Sequence, residues 1–165
     1  MSGSNIARAG VLLLAALYLP GGATQAAVSS PFVAMAGSWS GGGVLSTTDG
    51  MQERLRCRAS YDVAASGAEL RLNLRCASQS YNFDLASEVQ YRGGAISGSW
   101  SEASRNASGT ISGRAAGDHI EAAARGENFS ANLSLTTRGD RQSVSIRPQA
   151  TNVTAVSLSL SRSGR

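Results

Sequence analysis

The sequence predicts an all-β protein: an antiparallel meander of about eight to ten strands closing into a small barrel, with a two-sheet β-sandwich as the alternative. Three observations carry that expectation. Apolar residues recur at every second position through most of the chain that follows Gly37, the period at which strand side chains alternate between faces. Short turn signals separate these runs, and such brief connections join only antiparallel neighbours, because a parallel crossover needs a dozen or more residues. Finally, the chain's two cysteines fall on the same apolar face of one predicted hairpin.

The chain opens with Arg8, an apolar run from Val11 to Leu19, then Pro20, Gly21 and Gly22, and small residues through Ala26 and Ala27. Charged, apolar and cleavable segments in that order read as a secretory signal peptide over residues 1–27. Its apolar run is well short of the roughly 20 residues that a membrane-spanning helix needs. The mature protein is therefore expected in the periplasm or the medium, with no transmembrane segment. Residues 28–36 read as an N-terminal linker and residues 37–165 as one barrel domain, large enough to bury a core without a structural metal. All 15 basic residues are arginine, against 11 acidic ones. The net charge of +4 less Arg8 leaves +3 on the mature chain.

The predicted elements follow in order. Trp39 to Leu45 forms the first strand. Leu55, Cys57, Ala59, Tyr61 and Val63 alternate with Arg54, Arg56, Arg58, Ser60 and Asp62. Leu70, Leu72, Leu74 and Cys76 alternate with Arg71, Asn73 and Arg75. Tyr81 to Leu85 and Val89 to Tyr91 read as separate short segments. Further runs are centred on Ile96 to Trp100, Gly109 to Gly113, Ile120 to Ala124, Phe129 to Leu135, Val144 to Ile146 and Val156 to Leu160. Turn signals stand at Ser66-Gly67, Gly93-Gly94, Gly117-Asp118, Gly126 and Gly139-Asp140.

Placing Ser66-Gly67 as a two-residue turn fixes one register. Ala65 then faces Ala68, Val63 faces Leu70, Tyr61 faces Leu72, Ala59 faces Leu74, and Cys57 faces Cys76. Directly opposed strand residues lie at or within disulfide range, and an oxidising compartment permits the bond. Buried free thiols are the alternative. The closed loop predicts a stabilisation of about 3 kcal/mol.

The same register puts Arg58 opposite Arg75 and Arg71 opposite Asp62 on the outer face, with Arg54 and Arg56 further along. Opposed like charges destabilise a sheet, so Arg54, Arg56, Arg58 and Arg75 form a candidate anion-binding patch for an anionic envelope component. A merely solvated face, helped by Glu53, is the competing reading. No nucleic-acid partner is expected, since aromatic side chains do not interleave these arginines.

Catalytic constellations are not evident. His119 is the sole histidine and is expected to face solvent beside a turn. Asp84, Glu88 and Glu102 are separated and read as outward-facing, so they do not form an acid-base pair. Two cysteines and one distant histidine are too few for a closed metal site. Gly41-Gly42-Gly43 lacks the following helix of a phosphate loop. No cofactor or metal is expected.

Gly37-Ser38-Trp39 resembles the G-x-W motif of lipocalins and their calycin relatives, which implies that Trp39 plugs the closed end of a barrel. Gly98-Ser99-Trp100 is a second copy, making Trp100 another plug candidate. An early G-x-W beside a strand-to-strand disulfide is also similar to the periplasmic metalloprotease-inhibitor barrels of bacteria. The runs Glu53 to Arg58, Leu74 to Ser78 and Arg141 to Pro148 resemble small uncharacterised secreted proteins of α-proteobacteria, which implies export and compactness.

The functional expectation is a non-enzymatic periplasmic binding module for a small hydrophobic ligand or an anionic envelope component. The alternative is a protein-protein interaction module, an enzyme inhibitor or an envelope-associated structural factor. Small inward positions such as Gly98, Gly113, Ala122, Ala124 and Ala131 leave either a cavity or a narrow, packed barrel.

Overall fold

The computed structural model describes residues 29–164; the signal peptide read at 1–27 lies outside them. Ten strands form one closed antiparallel barrel: β1 (Gly37–Thr47), β2 (Gln52–Val63), β3 (Glu69–Ala77), β4 (Asn82–Arg92), β5 (Ala95–Glu102), β6 (Ala107–Ala116), β7 (His119–Gly126), β8 (Ser130–Arg138), β9 (Arg141–Gln149) and β10 (Val153–Arg162). Each strand pairs with its successor, and β10 returns to β1 through pairs such as Trp39 with Arg162 and Leu45 with Val156. Closure leaves no sheet edge unpaired. This settles the barrel against the sandwich.

The two segments read at Tyr81 to Leu85 and Val89 to Tyr91 are one strand, β4. Between their apolar residues the inward slot holds Ser87, which breaks the hydrophobic pattern. Its buried hydroxyl is satisfied by donating to the Ser99 carbonyl across the sheet at 2.8 Å, so the ladder runs on.

The β2-β3 register is the one the turn implies, from Val63 with Leu70 to Cys57 with Cys76. The turn itself is wider. Ala64 donates to the Glu69 carbonyl at 3.0 Å and Gly67 donates to the Ala64 carbonyl at 2.8 Å, with Gly67 at φ +72°. Ala65 and Ala68 therefore sit in a four-residue loop instead of forming the last pair. Opening one residue on each side lengthens a hairpin loop without shifting its register. Cys57 and Cys76 are disulfide-bonded, their Cα atoms 4.1 Å apart, and both are buried in the barrel wall.

One end of the barrel is sealed by the segment expected to be a linker. Residues Phe32–Met35 form a single-turn helix, α1, which buries Phe32 and Met35 against the strand ends. Phe32 meets Tyr91 edge to face, ring centroids 6.1 Å apart. Trp39 is buried below them and donates its indole N–H to the Met35 carbonyl at 2.8 Å. Arg162, at the end of β10, stacks on the Trp39 ring at 4.3 Å and donates to the carbonyls of Ala34 and Ala36. Just inside this end, Tyr61 donates to Gln142 at 2.7 Å, and Gln142 donates to Thr137 at 3.1 Å. Burial pushes the Tyr61 phenol well above its ordinary range, so it stays a neutral donor.

Candidate ligand-binding site

The opposite end is open. There the barrel holds a cup of about 510 Å³, within the roughly 300 to 1,000 Å³ typical of small-molecule sites. Its shape follows from an uneven distribution of side-chain volume. Leu55, Leu74, Leu85, Val156 and Leu158 bulk out one part of the wall, while β6, β7 and the start of β8 present Ile111, Ala124 and Ala131. Gly98, on the facing strand β5, has no room for a side chain: a Cβ there would run into the Glu88 carbonyl of β4. Of the small inward positions, Ala124 and Ala131 line the cup, and Gly98 and Gly113 sit where the neighbouring backbone leaves no room for a side chain.

Trp100 does not serve as a second plug. It stands at the other end from Trp39, in the wall of the cup, because β5 runs from the sealed end toward the mouth. Its indole lies across Gly126, where a Cβ would come within 3.0 Å of the ring, and Phe129 packs edge-on at 5.4 Å. The Trp100 Nε1–H is buried and has no hydrogen-bond acceptor among the described residues. Leaving a buried donor unmade costs about 1 to 3 kcal/mol.

Glu102 also departs from expectation. It shares the parity of Ile96 and Trp100 and so faces inward, buried at the rim. Burial is the largest influence on its carboxyl and opposes ionisation. Hydrogen bonds from the Asp84, Ser104 and Arg105 amides and the Ser104 hydroxyl together outweigh it, holding the carboxyl below its ordinary value. Those bonds shape the turn Ala103–Arg105. Arg105 is 3.5 Å from Glu102 and lies over the Phe83 ring at 4.8 Å, and Phe83 stacks in turn on Tyr81. The rim is therefore aromatic and polar, with its one inward arginine matched by its one buried carboxylate.

The candidate arginines lie outside the barrel. Arg58 is directly opposite Arg75, and Arg75 pairs with Asp84 at 3.2 Å. Arg71 pairs with Glu88 and not with Asp62, its register partner. Arg54, Arg56 and Arg58 have no acidic partner among the described residues. Glu53, expected to offset them, turns instead to the Ser78 hydroxyl at 2.5 Å and the Ser80 amide at 3.1 Å. His119 lies half-exposed on the outer wall, 2.9 Å from the Thr136 hydroxyl and 3.4 Å from Glu121, away from the cup.

Phe32, Met35 and Arg162 at the sealed end, and Glu102, Arg105 and Phe129 at the mouth, were not legible as site residues. Parity alone marks Arg162 and Glu102, since each extends an inward series, Val156-Leu158-Leu160 and Ile96-Gly98-Trp100. Phe32 and Met35 carry no such signal.

No protein-family model and no curated protein matches the sequence. Among solved structures the chain is similar to Rv2717c from M. tuberculosis, with a TM-score of 0.64 and 14% identity over 79% of this chain and 94% of that one. It is also similar to the S-type phycobiliprotein lyase CPES from Guillardia theta, with a TM-score of 0.59 and 12% identity over 81% and 91% of the two chains. The likeness is one of fold, a closed antiparallel barrel.

Proposed function

We propose that the protein is an exported, non-enzymatic binding module that holds a small apolar ligand in the cup. The observation that carries this reading is the one-ended cavity of about 510 Å³, apolar along its wall and polar only at its rim. The unpartnered Trp100 N–H supports a ligand with an acceptor, such as a carbonyl, set among apolar atoms. One fold neighbour is a phycobiliprotein lyase, and at 12% identity the likeness is one of fold alone. The disulfide supports an oxidising compartment, periplasmic or extracellular.

Native mass spectrometry of the protein purified without detergent tests the proposal directly. A co-purifying small molecule, lost in the cup-filling variant Ala124→Phe, is the expected result. Trp100 fluorescence provides a second readout: apolar acceptor-bearing ligands shift it in wild type and in Trp39→Phe, and the response disappears in Trp100→Phe. No adduct, together with no thermal shift from any lipid or hydrophobic carbonyl compound, overturns the reading.

A further inference from the structure

We infer that the outer face of β2 docks on an anionic lipid bilayer, with the open end of the barrel turned toward it. Arg54, Arg56 and Arg58 project from alternate positions of one strand, so each guanidinium follows the last by roughly 7 Å along the wall. The neighbouring strands offer no countercharge. Opposite Arg54, Arg56 and Arg58 on β1 stand Val44, Gly42 and Ser40, and β3 places Ala77 and Arg75 opposite Arg56 and Arg58. Glu53 is held by Ser78 and Ser80. Asp49, in the β1-β2 turn, is occupied by the Thr47 hydroxyl and the Met51 amide, and Asp62 lies beyond the far end of the stripe. Three like charges held in a row by a rigid strand repel one another, and an external anion relieves that repulsion.

Two features favour a bilayer over a soluble polyanion. Among the described residues three large apolar side chains are conspicuously exposed, and two of them flank this stripe: Val44, 38% exposed, beside Arg54, and Met51, 54% exposed, in the turn that leads into it. A basic stripe with an apolar side chain at its tip suits headgroups above and acyl chain below. The second is direction. The turn bearing Met51 belongs to the mouth end of the barrel, the end opposite α1, so docking brings the mouth toward the source of apolar ligands. This second point rests on the cup reading; the stripe does not.

Flotation of the chain, as purified from its expression host, with phosphatidylcholine vesicles with and without phosphatidylglycerol tests the inference. Binding to the anionic vesicles, weakened by salt, is expected. Each surface arginine adds about 1 kcal/mol, so Arg54→Gln, Arg56→Gln and Arg58→Gln together lower partitioning roughly 100-fold. Met51→Ser lowers it several-fold, and Arg114→Gln with Arg125→Gln, on the opposite wall, leaves it unchanged. The thermal midpoint verifies that the triple variant is folded. Equal binding to neutral and anionic vesicles, or an unaffected triple variant, overturns the proposal. Capture by dextran sulfate without flotation also overturns it and assigns the stripe to a soluble polyanion. Flotation by a chain that carries no ligand retains the docking face and removes the cup reading; a bound ligand without flotation does the reverse.

Discussion

The two ends of this barrel are built by different means. At the sealed end the connections are backbone turns: Gly93-Gly94, Gly117-Asp118 and Gly139-Asp140 each join their strands directly, with Gly93, Gly94, Gly117 and Gly139 all at positive φ. Such turns hold adjacent strands together with almost no chain to spare. Trp39, Phe32, Met35 and the Tyr61-Gln142-Thr137 chain are buried beneath them, beside a cleft of about 430 Å³ between α1 and the Gly117-Asp118 turn. At the mouth the loops are organised by side-chain hydrogen bonds, some within one connection, as Asp49 with Thr47 and Met51, Glu102 with Ser104 and Arg105, and Thr151 with Val153, and some between connections, as Glu53 with Ser78 and Ser80 and Asn152 with the Tyr81 hydroxyl. The mouth is rimmed by polar groups that hydrogen-bond along its edge, whereas the other end is closed by apolar groups packed under α1.

That contrast is sharpest under truncation. Trp39→Ala is expected to cost about 3 to 5 kcal/mol in urea unfolding, since it empties a fully packed site; a loss below 1 kcal/mol, as an order of magnitude, breaks the claim that α1 and Trp39 close the core. Reduction of the Cys57 to Cys76 bond, which closes a loop of 19 residues' separation, is expected to cost about 2 to 4 kcal/mol, and it acts on the whole barrel, so both ends lose amide protection together. Gln142→Leu strands the Tyr61 hydroxyl and is expected to cost about 1 to 3 kcal/mol, read as a lowered unfolding midpoint with the cup's ligand response intact.

Finer replacements separate the two tryptophans. Trp39→Phe breaks the bond to the Met35 carbonyl and is expected to destabilise by about 1 kcal/mol, whereas Trp100→Phe removes a donor that has no acceptor and is neutral or stabilising. Equal losses at both positions erase the distinction between plug and wall. The smallest effect concerns the rim. The Glu102 carboxyl is held below its ordinary value of 4.5, because its hydrogen bonds outweigh burial. Its contribution is complete above that value and is lost as pH falls through the lowered folded value. Amide exchange at Ser104 and Arg105 should quicken over that acidic window, and Glu102→Gln should flatten the change.

Strand-level order was largely legible. The alternation from Leu55 to Val63 and from Leu70 to Cys76, with one turn between them, was enough to pair the cysteines, because a period of two permits a register shift only by even steps if the apolar face is to stay buried. Even the error in loop width at Ser66-Gly67 left that register untouched. The charge of Glu102 suggests an outward position, but its parity with Ile96 and Trp100 turns it inward. Ser87 makes β4 read as two segments because one hydroxyl interrupts the apolar alternation. Phe32 and Met35 were invisible as a plug, since four residues of helix carry too little periodicity to announce themselves.

The sequence by itself determined the strands, their antiparallel order, the disulfide and the row of arginines on one outer face, because all of these follow from alternation and short turns, which are local. Only the tertiary structure decided that the meander closes through β1 and β10, that Trp39 seals one end while Trp100 lines a hollow at the other, and that Glu53 and Asp84 turn toward different partners. Those outcomes depend on which residues meet across the barrel. Two copies of Gly-Ser-Trp with the same local grammar end up with opposite roles because one opens β1 at the sealed end and the other lies near the end of β5 at the mouth, although both strands run the same way.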